Sequence, residues 1–274
     1  TSKLPDPTKD DFWAVRVTDP SAPSIVGRVN TGSGLYALDV AGQFAYVANA
    51  SSTNQLQVIN VSNPASPTLA TSRTLPGIDP LGSYPQGRSV FYYNDSVYIG
   101  THETAGPEFH IYNLPAPNNP VHAGSIELTH NVHEIAVRNE DIGGVSKTIA
   151  YLATTADAKE LIVLDVTAPG VITEIGSFDA PGDEDGESLY LIGNKLYLGR
   201  DRTPAGRDDF YILDVSNPTA PTALGSMRLN MNPNTAVVGI VVVGNFAFLA
   251  TSDPNGEFQV WNIADPANIV APGP

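Results

Sequence analysis

Short stretches in which apolar and polar residues alternate recur along the chain and end in the same kind of turn. The six stretches read WAVRV, LQVINV, FHIYNL, LIVLDV, FYILDV and FQVWNI. Alternation with a period of two, in residues that are largely β-branched or aromatic, predicts a half-buried strand. The strands run into proline-containing turns such as VSNPASP and VSNPTAP, and proline ends a strand because it cannot donate a ladder hydrogen bond. The pattern therefore predicts repeated copies of one strand–turn unit.

The turn recurs about every 50 residues, which is the period of a structural repeat. Its first proline stands at Pro20, Pro64, Pro117, Pro169, Pro218 and Pro266. Seven residues later most copies have a glycine, and Thr71 replaces it once; the glycines are Gly27, Gly124, Gly176, Gly225 and Gly273. Beyond the turn lies another apolar stretch, such as ALGSMRL, which predicts a further strand.

A second landmark consists of an aromatic, an aliphatic and a small residue. It begins at Tyr46, Tyr98, Tyr151, Tyr197 and Phe248. Most copies follow a tight turn of the type GQ, ND or GN, whose residues accept the positive φ of a two-residue hairpin. An apolar stretch precedes the turn, so each unit contains four strands, which we call A, B, C and D. Four-stranded units with this period predict the blades of an all-β propeller.

The landmarks favour five blades closed by both termini, with six blades as the alternative, because five A–B hairpins accompany six C strands. We expect residues 24–30 to complete the last blade beside residues 258–263. Arg16 stands where the other C strands have Asn or Asp, so the first C strand, residues 12–17, is the deviant copy. We expect this surplus strand to lie outside the blade, to cover an edge, or to pair with a neighbouring molecule.

These motifs resemble those of the LVIVD-repeat family of β-propellers. LIVLDV, FYILDVSNPTAPTALGS and LQVINVSNPASP match the family's repeat, and the resemblance extends over nearly all of residues 12–273. It implies an exported or cell-surface protein of bacteria or archaea, and it implies no shared catalytic residue. The predicted organisation is an N-terminal tail at residues 1–11 followed by a single LVIVD-type propeller at residues 12–274.

The charge of the chain limits its partners. It has 14 basic and 29 acidic residues, a formal net charge of −15. Such a charge repels phosphate backbones and anionic lipid surfaces, which argues against nucleic acid and membrane surfaces as partners. The chain has no cysteine, which excludes disulfides and thiolate chemistry. No apolar run reaches the roughly 18 residues of a membrane helix, so this chain is not expected to insert into a membrane.

Two predicted loops contain candidate metal ligands. The stretch GDEDGES places Asp183, Asp185 and Glu187 together, and carboxylates are the ligands that Ca²⁺ prefers. The stretch HNVH places His130 and His133 three residues apart, where an extended strand would point them to opposite faces. Joint ligation by the histidines therefore requires a bend. In both loops a solvated or hydrogen-bonded side chain is the simpler interpretation.

A third loop, RDRTPAGRDD, contains candidate partner contacts. These are Arg200, Arg202 and Arg207, to which we add Trp13 of the surplus strand. The simpler interpretation of the loop is a set of surface ion pairs, which contribute little individually. The chain has no G-x-S-x-G nucleophile elbow, and we predict neither catalytic nor cofactor-binding residues.

Three functions stay open at this point. The first is a non-enzymatic interaction module of the cell surface, which binds protein or glycan through its loop face for adhesion or as a scaffold. The second is a self-assembling subunit of a surface filament, pilus or layer. The third is an enzyme with a metal site at the channel face of the propeller. We predict the first, an extracellular protein that is not an enzyme.

Overall fold

A computed structural model describes residues 9–32, 34–78, 87–201, 207–229, 232 and 235–272. The described residues form strands and turns, and no helix occurs among them. Within this part of the chain there is accordingly no helix of the length and apolarity needed to cross a membrane. The strands are β1 (Phe12–Arg16), β2 (Ser24–Val29), β3 (Leu35–Ala41), β4 (Phe44–Asn49), β5 (Leu56–Asn60), β6 (Thr68–Arg73), β7 (Gly87–Tyr93), β8 (Ser96–Thr101), β9 (Phe109–Asn113), β10 (Val121–Ile126), β11 (Val132–Ile142), β12 (Val145–Thr154), β13 (Leu161–Asp165), β14 (Thr173–Phe178), β15 (Gly186–Ile192), β16 (Lys195–Arg200), β17 (Phe210–Asp214), β18 (Thr222–Met227), β19 (Val237–Val243), β20 (Phe246–Thr251) and β21 (Phe258–Asn262).

The strands form antiparallel sheets in which neighbours along the chain pair with one another. Blade 1 is β3–β6, blade 2 is β7–β10, blade 3 is β11–β14, blade 4 is β15–β18 and blade 5 is β19–β21. In each blade the A–B hairpin and the C–D turn lie at one end, which we call the turn end. The D–A and B–C connections lie at the other, which we call the loop end. The predicted all-β propeller of five blades is confirmed.

The chain divides into two compact units, Thr1–Val132 and His133–Pro274. The N-terminal unit contains the strand pair β1–β2 and blades 1 and 2. The C-terminal unit contains blades 3, 4 and 5. The B and C strands of blades 1 to 4 are buried almost throughout, whereas the D strands are partly exposed, so the core lies in the middle strands of each blade.

The repeated aromatic residue of strand B belongs to this core. Tyr46, Tyr98, Tyr151 and Tyr197 are buried, as the repeat predicts, and Phe248 is partly buried. Tyr197 packs with Phe210, Ile212 and other apolar residues of the C-terminal unit. An aromatic ring at this place contributes a large apolar area to each blade.

The glycine after several of the turns has a packing role that accounts for its presence there. A Cβ atom on Gly27 would overlap the carbonyl oxygen of Pro64 in blade 1. Likewise, a Cβ on Gly176 would overlap the carbonyl oxygen of Pro218 in the next blade. The D strand of one blade thus receives the C–D turn of the following one. At these glycines there is no room for a side chain, whereas blade 1 departs from the pattern with Thr71.

The pairing of the first strands corrects our expectation. Strand β2 pairs with β1, with Phe12 opposite Val29, instead of completing the last blade. At the edge of β21, Asn262 forms an isolated bridge with Val270. Strands β1 and β2 are joined by a short copy of the repeated turn, and closing a short connection costs less conformational entropy than closing a long one. The local partner is therefore favoured.

The position of the first strand was also predicted wrongly. Phe12 is buried in a cluster with Leu35, Val47 and Ile59 of blade 1, so it belongs to the core of the N-terminal unit. Its neighbour Trp13 points the other way and is 46% exposed. Alternation along a strand separates the two aromatic side chains.

Candidate functional site

Two aspartates are hydrogen-bonded to one another at the loop end of blade 4. Asp185 precedes β15 and Asp201 follows β16, and the two strands are paired with Gly186 opposite Arg200. The backbone amide of Asp201 donates to the carbonyl of Asp185 at 3.0 Å. In return, the amide of Asp185 donates to the carboxylate of Asp201 at 2.7 Å. The hairpin geometry therefore holds both acids at the strand ends.

The acidic pair is a departure of blade 4 from the repeat. In blade 1 the same backbone hydrogen bond joins Ala50 to Gly34, and in blade 5 it joins Ser252 to Ala236. Neither of those blades has an acid at the two positions. Blades 1 and 5 fold with neutral residues at these two positions, so the acids of blade 4 are not required for folding of the repeat. They are therefore candidates for a functional role.

The environment of the pair shifts both acids toward the protonated form. Burial raises the pKa of Asp185 to about 6, and the nearby carboxylates of Asp201 and Glu187 contribute to the shift. Burial also raises the pKa of Asp201, against the opposing hydrogen bond from the Asp185 amide. Arg200 opposes both shifts. Asp185 thus changes its charge close to neutral pH, where a general base is most effective.

Arg200, which directly precedes Asp201, is fully buried. Its guanidinium donates to the carboxylate of Glu160 at 2.7 Å and to that of Glu184 at 3.2 Å. It also lies 5.6 Å from the ring centroid of Tyr211. At the corresponding end of strand B, the other blades have a short polar residue: Asn49, Thr101, Thr154 and Thr251. We predicted Arg200 to be a partner contact, but its burial between two carboxylates makes it an internal counter-ion.

Glu160 has a structural role that recurs through the chain. Its carboxylate accepts a hydrogen bond from the backbone amide of Ala180, twenty residues further along. The same bond, with the same spacing, joins Asp11 to Thr31, Gln55 to Leu75, Glu108 to Leu128 and Asp209 to Leu229. An acid or amide thus stands just before each of these C strands and accepts an amide of the connection after strand D. This signal was present in the sequence and our sequence analysis missed it.

Burial makes the carboxyl group of Glu160 a weaker acid. Desolvation raises the pKa of Glu160 to about 7, against the Ala180 amide and the Arg200 guanidinium, which favour the ionised form. Burial likewise raises the pKa of Glu108, the equivalent acid of blade 2. Glu160 differs from Glu108 because it also pairs with the arginine that is peculiar to blade 4.

The histidines predicted as metal ligands have different surroundings. Nδ1 of His133 lies 3.0 Å from a carboxylate oxygen of Glu187, and both side chains are mostly buried. His130 lies in the partly buried bend before β11. Asp183 is exposed, whereas Asp185 is paired with Asp201. Throughout the described ranges, no group of three or more His, Asp or Glu residues is arranged to hold a metal ion. Calcium binding stays a prediction.

The remaining predicted contacts have different surroundings. Arg207 is exposed, and Arg202 lies outside the described residues. Trp13 is on the exposed face of the β1–β2 pair, opposite Arg28. Binding of a protein or glycan, and self-assembly, stay predictions.

The turn and strand pattern that recurs in these blades is that of a known repeat. The pattern described as the LVIVD repeat matches residues 36–74 and 205–228. The chain carries the LVIVD repeat. The family resemblance seen in the motifs is thereby confirmed. Among curated proteins, none matches the LVIVD-repeat chain in sequence.

Solved structures share the fold of the LVIVD-repeat chain at low identity. The computationally designed Ika8 protein is 14% identical, with a TM-score of 0.58 over 89% of this chain and 63% of that chain. A candidate 6-phosphogluconolactonase from Bacteroides uniformis is 14% identical, with a TM-score of 0.72 over 98% and 78%. The periplasmic gluconolactonase of Pseudomonas aeruginosa is 13% identical, with a TM-score of 0.67 over 91% and 72%. The chain therefore spans less than two thirds of the first of these and about three quarters of the others.

These neighbours correct the functional prediction. We predicted a non-enzymatic interaction module, but solved structures with this fold include a gluconolactonase and a candidate 6-phosphogluconolactonase. The reason for the error is the weight that we gave to the repeated residues. Their roles as strand, turn and core residues were complete, and we took this as evidence that the chain has no catalytic residues. In a repeat protein, catalytic residues stand at the few positions where one copy differs from the others. Such positions are hard to recognise before the blades are compared in three dimensions.

Proposed function

We propose that the LVIVD-repeat chain is an enzyme that hydrolyses the cyclic ester of a sugar acid, with Asp185 and Asp201 as its acid–base pair. The observation that carries the proposal is the contact between these two acids, one of which has a pKa of about 6. The fold that the chain shares with the gluconolactonase of Pseudomonas aeruginosa supports the choice of substrate class.

The proposed reaction uses Asp185 as the general base. Its ionised carboxylate takes a proton from water while the water oxygen bonds to the carbonyl carbon of the lactone. The resulting tetrahedral intermediate collapses by breaking the ring C–O bond, and the protonated Asp185 returns the proton to the ring oxygen as it leaves. Proton transfers of this kind contribute typically 10²–10⁴-fold to a rate. Asp201 orients Asp185 through the backbone hydrogen bond and raises its pKa.

The charge of the site favours an uncharged lactone. Asp183, Glu184, Asp185, Glu187 and Asp201 lie in or beside the same loop end. The guanidinium of Arg200 is already engaged by two carboxylates and is not presented to solvent. Such a site repels a phosphorylated substrate. It also repels the carboxylate product, which promotes product release.

We also infer that the protein acts outside the cytoplasm. The LVIVD repeat is typical of extracellular and periplasmic proteins, and the Pseudomonas aeruginosa neighbour is described as periplasmic. Fractionation of the native host, with detection of the chain in the periplasm or medium, tests this location.

A titration assay tests the proposed activity. Purified chain is mixed with glucono-δ-lactone at pH 6.5, and the acid released is followed above the spontaneous rate. We expect Asp185→Asn to lower kcat/KM by about 100-fold or more, as loss of a general base does. Asp183→Asn is the matched control, because Asp183 is an exposed acid of the same loop.

The outcomes separate the proposal from its alternatives. If Asp185→Asn retains its activity, Asp185 is not the general base. Absence of turnover with neutral and phosphorylated aldonolactones alike would refute the proposed function. A preference for the phosphorylated lactone would contradict the charge argument. Circular dichroism melts of each variant establish that a loss of activity is not a loss of folding.

A further inference from the structure

The N-terminal unit has a cavity whose lining gives it a chemistry of its own. It opens at the turn end of blades 1 and 2 and has a volume of about 290 Å³. The residues that matter for its chemistry are Phe44, Tyr46, Tyr92, Asp95, Leu114 and Pro117. This volume suits a small molecule and not a polymer.

Aromatic rings form one side of the cavity. The rings of Tyr46 and Tyr92 are stacked, with centroids 5.5 Å apart and planes within 8° of parallel. Phe44 adds a third ring, which is partly buried. The faces of aromatic rings carry partial negative charge, so a wall of this kind attracts cations.

The polar atoms of the cavity are mainly hydrogen-bond acceptors. The Tyr46 hydroxyl donates to the carbonyl oxygen of Pro117 at 2.9 Å. The Tyr92 hydroxyl donates to the Asp95 carboxylate at 3.1 Å. Because both hydroxyl protons are used, the phenolic oxygens offer lone pairs, as the carboxylate and the carbonyl do. Gln43 also lines the cavity and has a donor amide.

Asp95 supplies a formal negative charge at this place. Its carbonyl accepts the amide of Leu114, as the carbonyls of Asn194 and Asn245 accept amides at the corresponding turns of blades 4 and 5. Asp95 is therefore an acid where those turns have a neutral amide. Burial raises the pKa of Tyr46 to about 12, with contributions from Tyr92 and Asp95, so the phenol stays neutral. None of the described residues that line the cavity is Lys or Arg.

Blade 3 contains the same combination of groups already joined to a cation. The Tyr151 hydroxyl donates to the Glu140 carboxylate at 2.7 Å. The guanidinium of Arg138 lies 5.7 Å from the Tyr151 ring centroid and forms an ion pair with Glu140. A tyrosine face with a neighbouring carboxylate thus binds a cationic group in this protein. In blade 3 that cation comes from the chain itself.

We propose that the cavity of Tyr46, Tyr92 and Asp95 binds a small organic ammonium ion. The partly buried rings of Tyr92 and Phe44 contact the methyl or methylene groups that surround the charged nitrogen, and the buried Tyr46 ring supports Tyr92 from behind. The Asp95 carboxylate neutralises the charge, and the oxygen acceptors receive any N–H donors. Neutral ligands lack the charge that this arrangement selects, and anions are repelled by Asp95 and by the net charge of −15. The inference is independent of the proposed lactone hydrolysis.

Calorimetry of the full chain tests the site with choline as the probe. The comparison ligand is 3,3-dimethylbutan-1-ol, which has the shape of choline without its charge. We expect choline to bind at least about tenfold more tightly than the neutral isostere. Asp95→Asn is expected to weaken choline binding about tenfold. This variant retains the fold because Asn tolerates the positive φ of 57° at this turn position.

Controls make each outcome decisive. Asp141→Asn removes an exposed acid from the hairpin of blade 3 and is expected to leave choline binding unchanged. Equal affinity for choline and its isostere, an unchanged affinity in Asp95→Asn, or no binding of choline at millimolar concentration would each overturn the proposal. Lactone hydrolysis by Asp95→Asn is expected to equal that of the parent chain, so failure of one proposal leaves the other intact.

Discussion

The guanidinium of Arg200 lies 2.7 Å from the carboxylate of Glu160, and both side chains are wholly buried. Glu184 provides a second carboxylate at 3.2 Å. Charges in the interior are tolerated only when they are paired and hydrogen-bonded, because removing them from water is costly. The cluster joins Glu160 of blade 3 to the acidic loop end of blade 4. The stability of the fold therefore depends on residues next to the candidate site.

Replacing Arg200 tests that coupling. Arg200→Thr introduces the residue that stands at this place in blades 2, 3 and 5. We expect it to lower the free energy of unfolding by about 3–5 kcal/mol, because it leaves buried carboxylates without their counter-ion. Urea denaturation followed by fluorescence measures the change. Arg207→Thr, which alters an exposed arginine, is expected to change stability by less than about 0.5 kcal/mol. Similar losses in both variants would contradict the argument.

The pH dependence of stability follows from the raised pKa of Glu160. Its pKa is about 7 in the folded chain and near 4.5 when unfolded, so the folded state binds more protons between these values. The free energy of unfolding is therefore expected to fall as the pH rises from 4.5 to 7, by at most about 3 kcal/mol for this group. Denaturation at several pH values measures the slope. Glu160→Gln is expected to reduce the slope, and an unchanged slope would show that other groups cause it.

The pH profile of the proposed activity depends on Asp185. Lactone hydrolysis is expected to rise as the pH increases through about 6, because the base is active only when ionised. Asp201→Asn removes a neighbouring negative charge but keeps an oxygen that can accept the Asp185 amide. We expect this variant to shift the midpoint of kcat/KM to lower pH. An unchanged midpoint would show that Asp201 does not raise the pKa of Asp185.

The close contact between Gly176 and Pro218 predicts a marked difference between two glycines of blade 3. A side chain on Gly176 would meet backbone atoms of Pro218 and Thr219, whereas one on Gly170 would meet nothing within 4 Å. We expect Gly176→Ala to destabilise the chain by about 1–3 kcal/mol through overpacking. Gly170→Ala is the matched control and is expected to be neutral. Thermal melts of the two variants give the comparison, and equal melting temperatures would contradict the packing role.

Part of the candidate site could be predicted from the sequence alone. The loop GDEDGES and Arg200 were singled out by their charge, and Asp185 is among the residues that the structure brings together. Asp201 was overlooked, because it joins Asp185 only through the pairing of β15 with β16. Glu160 was overlooked as well, although its position before strand C recurs in the sequence.

The sequence by itself determined the strands, the turns, the blade period and the all-β propeller. These features depend on contiguous residues: alternation sets a strand, Asx-Pro and Gly-Asn set turns, and their recurrence sets the repeat. Tertiary structure alone decided that Phe12 is buried against blade 1, and that Arg200 bonds Glu160 forty residues away. It likewise decided how far burial raises the pKa of each acid. Such contacts arise from the packing of one sheet against the next, which no local pattern specifies.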